Sequence, residues 1–189
     1  NGVKYPVGID EAAFYGPKLD IQIKNVFGKE DTLITLQIDM LLAKKFGMEY
    51  VDSNNQLVNP YIIHRTSLGC YERTLALLIE KYAGAFPLWL APEQMRILPI
   101  GDEHVEYAAA VQAKLSAAGL RVELDDSSNT IGYKIRATQM QKVPYMLIIG
   151  AKEVEEGTVS VRNRAGETVT KSVEAFLAEA LVEVAEKRR

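Results

Sequence analysis

Residues 60–84 read PYIIHRTSLGCYERTLALLIEKYAG, and this stretch decides the fold. The apolar run before His64 predicts a strand, and the segment after Gly69 has the length and apolar spacing of a helix. Gly69 lets a flat ligand approach the backbone closely because no Cβ intervenes, and Arg73 can bind phosphate oxygens near the helix N-terminus. From the residues alone, this turn is either a nucleotide site or an ordinary junction with a surface ion pair between Glu72 and Arg73 or nearby residues.

Two further strands are predicted on the N-terminal side of this stretch. Residues 18–25 alternate Leu19, Ile21 and Ile23 against polar neighbours, and residues 33–40 alternate in the same way. Alternation with period two is typical of a half-buried antiparallel strand. The stretch therefore follows a sheet of at least three antiparallel strands.

The pattern changes near residues 86–92, where two prolines and a tryptophan interrupt the helix. We place a domain boundary between residues 87 and 88. Beyond it, strands alternate with helices, which predicts an α/β layout. The predicted elements are strands at 95–100, 120–124 and 145–149, a helix at 103–118 stopping at Gly119, a strand pair, and a final helix opening at Ser172.

Composition limits the classes of function. A chain of 189 residues with 48% hydrophobic and 25% charged residues can build one large domain or two small ones. No apolar run approaches the ~20 residues of a membrane span. With one cysteine, these features predict a soluble, cytoplasmic protein with no membrane partner. The net charge of −3 argues against non-specific coating of nucleic acid but leaves room for a local basic face.

Several segments spread over nearly the whole chain carry a resemblance to one family. They are HRTSLGCYER, DEAAFYGPKLDIQI, TLQID, EKYAGAFPLWLAPEQMRILPI, IGYKIR and VPYMLIIGAKEVEEGTVSVR. Together they resemble the threonyl-tRNA synthetase family of class II aminoacyl-tRNA synthetases, and HRTSLGCYER matches the third signature motif of that class. The resemblance implies the C-terminal portion of such an enzyme. Residues 1–87 would hold an incomplete class II antiparallel sheet with the motif-three helix, and residues 88–189 an α/β anticodon-binding domain with a mixed sheet.

The resemblance implies an ATP and threonine site. Arg73 matches the motif arginine that contacts ATP phosphate, Gly69 lies under the adenine region, and Thr35 joins them in cofactor binding. Tyr15 and Gln37 match positions that line the threonine and adenylate pocket, so Arg73, Gln37 and Tyr15 are the expected catalytic residues. The implied cofactor is ATP with magnesium.

His64 matches the third protein ligand of the family's zinc ion, which holds threonine by its amino and hydroxyl groups. The other two ligands and the first two signature motifs fall upstream in the family. We therefore expect zinc, the homodimer and threonine activation in the full-length protein, and neither zinc nor activity in this chain alone. Without the resemblance, a lone histidine beside a strand is more often a hydrogen-bonded structural residue.

The resemblance also implies a partner, threonine tRNA. Glu153 and Arg162 match two base-reading positions, and Lys134 and Arg136 are candidates for phosphate or base contacts. The Arg-Asn-Glu-Lys that usually precedes Ile-Gly in the family is replaced here by residues 127–130, Ser-Ser-Asn-Thr. Without the resemblance, IGYKIR is an amphipathic helix start with a solvated basic face.

Two alternatives remain open from the sequence. The chain could be a stand-alone, non-catalytic tRNA-binding module, although retention of Tyr15, Gln37, His64 and Arg73 speaks against it. It could also be the equivalent region of a prolyl-, glycyl- or histidyl-tRNA synthetase. The Tyr-Gly-Pro-Lys strand and the position of His64 favour threonine.

Overall fold

The computed structural model describes residues 5–188. The chain divides into two compact units between Lys81 and Tyr82. We call the unit that ends at Lys81 the N-unit and the unit that begins at Tyr82 the C-unit. The domain boundary between residues 87 and 88 stays a prediction, since it lies six residues beyond this division.

The N-unit is built around an antiparallel sheet of three strands in the order β1-β2-β5, as the alternation predicted. A second, two-stranded sheet pairs β3 with β4. A bulge interrupts the β1–β2 pairing. Ile21 pairs with Ile34 and Gln22 with Thr32, which leaves Leu33 without a partner on β1. The elements are β1 (Lys18–Lys24), β2 (Glu30–Asp39), α1 (Leu42–Lys45), β3 (Tyr50–Val51), β4 (Leu57–Val58), β5 (Ile62–Arg65) and α2 (Tyr71–Tyr82).

The apolar face of the three-stranded sheet is open to solvent. Leu19 is 52% exposed and Ile63 is 69% exposed, although the alternation predicted half-buried strands. Helix α2 leaves Leu75 and Ile79 exposed as well. Among the described residues of the N-unit, Ala43 is the one apolar residue with a buried side chain. The N-unit therefore has sheet pairing without a continuous core.

The C-unit is an α/β domain with a five-stranded mixed sheet in the order β10-β9-β8-β6-β7. Strands β6, β7 and β8 are parallel, and β9 and β10 continue antiparallel from β8. The predicted fold class is confirmed. The elements are β6 (Met95–Pro99), a 3₁₀ turn (Asp102–His104), α3 (Val105–Ala117), β7 (Val122–Leu124), α4 (Ile131–Met140), β8 (Tyr145–Ile149), α5 (Ala151–Glu156), β9 (Thr158–Asn163), β10 (Thr168–Ser172) and α6 (Val173–Ala185).

The main hydrophobic cluster of the C-unit lies on one face of this sheet, while Leu98 and Met146 are buried on the other face. Ile97, Leu147 and Val161 come from three neighbouring strands and pack with Leu115 of α3 and Phe176 of α6. Each of these side chains is at most 7% exposed. Helix α4 packs near β6 on the opposite face, where Arg96 of β6 donates to Gln141 at the end of α4.

Helix ends follow the sequence signals with two corrections. Gly119 has φ +88 after α3, and the Ser172 hydroxyl accepts from the Ala175 N–H at the start of α6, as predicted. The helix predicted at 103–118 begins instead with the 3₁₀ turn. The strand predicted at 120–124 starts at residue 122, because the Leu120 N–H bonds to Leu115 and the Arg121 N–H bonds to the buried Gln94 side chain.

The segment before β6 is fastened to the C-unit. The buried Gln94 amide donates to the Leu88 carbonyl, and the Arg121 guanidinium donates to the carbonyls of Trp89 and Ala91. Leu88 is 1% exposed. Across residues 5–188, no helix is long and apolar enough to cross a membrane.

Candidate functional site

One face of the N-unit sheet collects polar side chains. Alternation places Thr35, Gln37 and Asp39 of β2 on this face, and Gln37 pairs across the sheet with His64 of β5. The Tyr15 hydroxyl donates to Gln37 Oε1 at 2.6 Å, and the rings of Tyr15 and His64 lie 6.2 Å apart. Three of the residues that the sequence marked as site candidates are thus neighbours.

Asp39 was missed by the sequence analysis, although it organises this face. Its side chain is fully buried, Oδ2 lies 3.1 Å from His64 Nε2, and Oδ1 accepts from the N–H groups of Leu41 and Leu42 at 2.9 Å each. Burial acts to raise the pKa of Asp39, but the hydrogen bonds from Leu42, Leu41 and His64 outweigh it and hold the pKa below its ordinary value. The available signal was an aspartate at the last position of β2, shortly before α1 begins.

Asp39 fixes the orientation of His64, as a carboxylate does for a metal-binding imidazole. The nitrogen that faces Asp39 is Nε2, so Nδ1 is the nitrogen left for a ligand. Within residues 5–188, however, no group of three His, Cys, Asp or Glu side chains is placed to hold a metal ion. The described residues do not by themselves make a zinc site, and the role of His64 as a ligand stays a prediction.

The strand-to-helix turn packs against the bulge in β2. Gly69 has φ +67, and a Cβ at this position would lie 2.1 Å from the Leu33 carbonyl oxygen. Arg73 Nη1 donates to the Thr32 carbonyl at 2.9 Å. Glycine is needed here because the chain approaches itself too closely for a Cβ to fit.

The strand that this turn meets is the segment of residues 32–34 in β2. Gly69 and Arg73 meet this segment through backbone carbonyls. Those two contacts therefore do not depend on which side chains the strand carries.

The N-unit candidates extend along β2 instead of forming one cluster. The Thr32 carbonyl, which anchors Arg73, precedes Gln37 by five positions, or roughly 17 Å at about 3.3 Å per residue. Thr35 lies between them. The arrangement offers a guanidinium at one end and a hydroxyl, an amide and an imidazole at the other, which suits an elongated ligand with an anionic end.

In the C-unit, the two basic candidates on α4 differ in exposure. Lys134 is 3% exposed, and its ammonium donates to the carbonyls of Pro99 and Asp125 at 3.2 and 2.9 Å. Arg136, two residues further on, is exposed. In this structure only Arg136 presents its charge to solvent, so direct RNA contact by Lys134 is without geometric support.

Two further candidates lie in the C-unit. Arg162 is on β9, on the face of the sheet that α4 covers at β6, and Glu153 is in α5, the helix that follows β8. Glu153 accepts from the Gly150 N–H at 2.9 Å and from the Ser160 hydroxyl at 2.8 Å. Burial acts to raise the pKa of Glu153, but these bonds and the nearby Lys152 charge hold it below the ordinary value. Glu153 is therefore an acceptor held in place at the start of α5.

Arg162 is weakly bonded inside the chain. Its Nη1 lies 3.4 Å from the Thr168 hydroxyl, and its buried Nε has no hydrogen-bond partner among the described residues. Ser160 and Arg162 alternate on β9 and share one face of the sheet. The guanidinium keeps donors available to an acceptor from outside, on the face of β9 where Ser160 bonds to the Glu153 carboxylate.

Two family profiles match the chain, one on each unit. The family described as "tRNA synthetase class II core domain (G, H, P, S and T)" matches residues 4–82, and the family described as "Anticodon binding domain" matches residues 94–184.

Curated relatives match nearly the whole chain. The threonine–tRNA ligase of Clostridium perfringens is 54% identical over 179 residues, which are 94% of this chain and 28% of that protein. The threonine–tRNA ligase of Clostridium botulinum is 52% identical over 188 residues, which are 99% of this chain and 29% of that protein. The chain thus spans less than a third of the length of these relatives.

Among solved structures, the RNA-binding domain of threonyl-tRNA synthetase from Cryptosporidium parvum Iowa II is similar, with a TM-score of 0.80 and 34% identity. The similarity covers 91% of this chain and 44% of that chain.

Proposed function

Since the chain belongs to the threonine–tRNA ligase family of class II synthetases, we propose that it supplies the third signature motif and the anticodon-binding domain of such an enzyme. The full protein would activate threonine with ATP and charge threonine tRNA. The observation that carries the proposal is the match of a synthetase core to one unit and of an anticodon-binding domain to the other. A prolyl, glycyl or histidyl enzyme, or a stand-alone module, is not favoured, because the relatives above are threonine–tRNA ligases.

In the proposed catalytic role, Arg73 contacts ATP phosphate and Gly69 and Thr35 border the nucleotide. Arg73 donates one hydrogen bond to the Thr32 carbonyl. Because a guanidinium has five N–H donors, others remain for phosphate oxygens. Magnesium would accompany ATP. The positive charge stabilises the anionic phosphates and does not itself exchange protons during the reaction.

Tyr15 and Gln37 are proposed to hold threonine and its adenylate. The Tyr15–Gln37 hydrogen bond fixes the amide so that its NH₂ group points to other acceptors, such as a carboxylate or carbonyl of the bound amino acid. Asp39 fixes His64 in turn. A zinc ion would hold the amino and hydroxyl groups of threonine, and His64 would be one of its ligands, with the remaining ligands supplied from outside the described residues.

The first experiment tests whether this chain activates threonine alone. We expect ATP–pyrophosphate exchange with threonine at the rate of a control without protein, because family members use an arginine of the second signature motif at the α-phosphorus. A threonine-dependent rate above that control would overturn the expectation. The same assay with the full-length protein should give exchange.

For the C-unit we propose binding to the anticodon of threonine tRNA. Single-stranded bases are read by stacking and by bonds to their exposed edges, which requires a few placed polar groups. Glu153 offers an ordered acceptor and Arg162 offers free donors for base edges, and Arg136 offers a charge for phosphate. We also propose that the full protein is a cytoplasmic homodimer.

The deciding experiment measures binding of this chain to a threonine tRNA anticodon stem-loop and to one with a replaced anticodon, across a salt series. Preference for the intact anticodon is the expected result. Equal or absent binding by the chain, with preference by the full-length protein, would contradict an autonomous reading domain.

A further inference from the structure

Lys134 is an unusual lysine because its charge is buried. Its side chain is 3% exposed, whereas lysine is almost never fully buried in proteins unless it is paired. Among the described residues, no carboxylate forms an ion pair with it. Its partners are the backbone carbonyls of Pro99 and Asp125. A buried ammonium is costly unless it is bonded, so a specific structural reason is needed.

The two carbonyls lie at one edge of the C-unit sheet. Pro99 is the last residue of β6, and Asp125 directly follows β7, its parallel neighbour. The carboxyl edge of parallel strands is where ligands bind in open α/β sheets. Lys134 therefore joins the ends of two strands where the chain leaves the sheet.

The Lys134 side chain also holds the start of the loop between β7 and α4, residues 125–130. Its ammonium donates to the carbonyl of Asp125, the first residue of the loop, at 2.9 Å. At the other end, the Lys134 backbone N–H bonds to the carbonyl of Thr130 at 3.1 Å, which is an ordinary i→i−4 bond of α4. Thr130 provides no side-chain cap for α4. The ammonium is thus the contact through which the lysine side chain ties the loop to the helix.

Inside the loop, the side chains order one another. Asp125 Oδ1 accepts from the N–H and the hydroxyl of Ser127 at 3.2 and 2.6 Å, and the Asn129 amide donates to the Ser127 hydroxyl at 3.0 Å. Asp126, Ser128, Asn129 and Thr130 are exposed. The loop therefore presents its tip outward while Lys134 fixes its base.

We propose that Lys134 is a positioning residue for anticodon recognition, which holds the exposed tip of loop 125–130 in the shape that meets the RNA. The inference rests on the tRNA-binding function proposed above. A positioning role differs from a phosphate contact. Two of the three ammonium protons of Lys134 bond inside the chain, and the ammonium is shielded from solvent. Arg136 on the same helix is the matched residue with an exposed charge.

The test compares Lys134→Met with Arg136→Met in binding to the intact and replaced anticodon stem-loops across a salt series. For Lys134→Met we expect the preference for the intact anticodon to fall about tenfold, while the slope of log affinity against log salt stays unchanged. For Arg136→Met we expect weaker binding to both stem-loops and a slope smaller by about 0.7 to 1, as for one lost phosphate contact. A Lys134→Met variant that keeps its preference, or loses about one unit of slope, overturns the proposal.

A second measurement decides the positioning role without RNA. Amide exchange at residues 126–130 should be about tenfold faster in Lys134→Met than in the wild type, and unchanged in Arg136→Met. Unchanged exchange in the loop would overturn positioning even if binding falls. If the wild type shows no anticodon preference, the proposed function fails, and the exchange result still decides whether Lys134 orders the loop.

A milder variant guards against loss of folding. Lys134→Gln removes the charge and keeps a buried polar donor, and circular dichroism establishes that the variant is folded. Lys134→Gln should lose anticodon preference and loop protection in the same direction as Lys134→Met. Full retention of both by a folded Lys134→Gln would contradict the proposal.

Discussion

The two units bury the apolar residues of their strands very differently. Leu19 lies in β1, an edge strand paired with β2 alone, and is 52% exposed, whereas Leu147 lies in β8, a central strand paired on both sides, and is fully buried. Helices α3 and α6 cover the strands of the C-unit, whereas the apolar face of the N-unit sheet has no comparable cover in the described chain. Hydrogen-bonded strand pairing is therefore present in both units, but the burial of apolar side chains is concentrated in the C-unit.

This difference shows that strand pairing and apolar burial are separate contributions to stability. Burial of apolar surface contributes roughly 25 cal/mol per Å², and it has to offset a loss of conformational entropy of about 1–2 kcal/mol per residue. The C-unit has a continuous core for this purpose, and the N-unit has polar contacts at its candidate site and little core. We therefore expect stability to be distributed unevenly along the chain.

The largest expected effect is a contrast in amide exchange between the units. Core strands of a stable domain exchange through global unfolding, which costs about 5–15 kcal/mol, so β6, β8 and β9 should be protected by a factor on the order of 10³ or more. Strands β1, β2 and β5 should show protection smaller by at least about tenfold in a monomeric sample, because they open without exposing a core.

Self-association provides the main alternative. If copies of the chain cover the apolar face, exchange protection in β1, β2 and β5 should rise with protein concentration. Sedimentation at the same concentrations should then show self-association. Uniform protection in both units of a strictly monomeric chain would contradict the comparison.

A matched pair of leucine truncations measures the same contrast directly. Leu147→Ala should lower the free energy of unfolding by about 2–5 kcal/mol, because it removes buried methylene groups and leaves a cavity. Leu19→Ala should cost less than about 1 kcal/mol, because its side chain is already half in water. Urea denaturation followed separately in each unit by exchange gives both values. Equal costs would mean that Leu19 is buried in solution.

The sequence was sufficient for the elements that depend on local pattern. Alternation located the antiparallel strands of the N-unit, and Gly119 and Ser172 marked helix ends in the C-unit. These signals act within a few residues, so they can be recognised without knowledge of distant contacts. The order of strand and helix likewise predicted the mixed α/β class.

What the sequence did not predict depends on residues far apart in the chain. The Asp39–His64 contact joins positions 25 apart, and the Lys134–Pro99 contact joins positions 35 apart. Lys134 was therefore expected to be a solvent-exposed base on an amphipathic helix, although the ends of two strands bury it. The alternation around Leu19 likewise could not decide its exposure, since a period of two indicates which face is apolar and not whether anything covers it.

Two glycines with the same backbone angle isolate the effect of local packing in each unit. Gly69 and Gly157 both have φ +67, but an added Cβ would meet the Leu33 carbonyl at 2.1 Å in the first case and nothing within 4 Å in the second. Gly157→Ala should cost about 1–2 kcal/mol from backbone strain alone. Gly69→Ala should cost about 2–4 kcal/mol, because the turn must also move away from β2.

The readout for this pair is exchange protection near each site. Gly69→Ala should lose protection in β5 and α2 of the N-unit, and Gly157→Ala should lose it slightly in α5. If the two substitutions cost the same, the close approach of Gly69 to Leu33 does not persist in solution.

The smallest expected effect is a pH dependence confined to the C-unit. The Tyr145 hydroxyl donates to Glu183 at 2.9 Å, and burial together with this carboxylate raises the pKa of Tyr145 to about 12. A raised pKa means that the contribution to stability is fully present below about pH 10, the ordinary tyrosine value, and is lost as the pH rises through about 12. Tyr145→Phe should cost about 0.5–1.5 kcal/mol at neutral pH, the usual value of one hydrogen bond, and should remove this alkaline loss.

Urea midpoints of the C-unit at neutral pH and between pH 10 and 12 measure both effects, with exposed Tyr133→Phe as the control. A parallel alkaline loss in wild type and Tyr145→Phe would assign the pH dependence to other groups and leave the buried hydroxyl without a role in the stability of the C-unit.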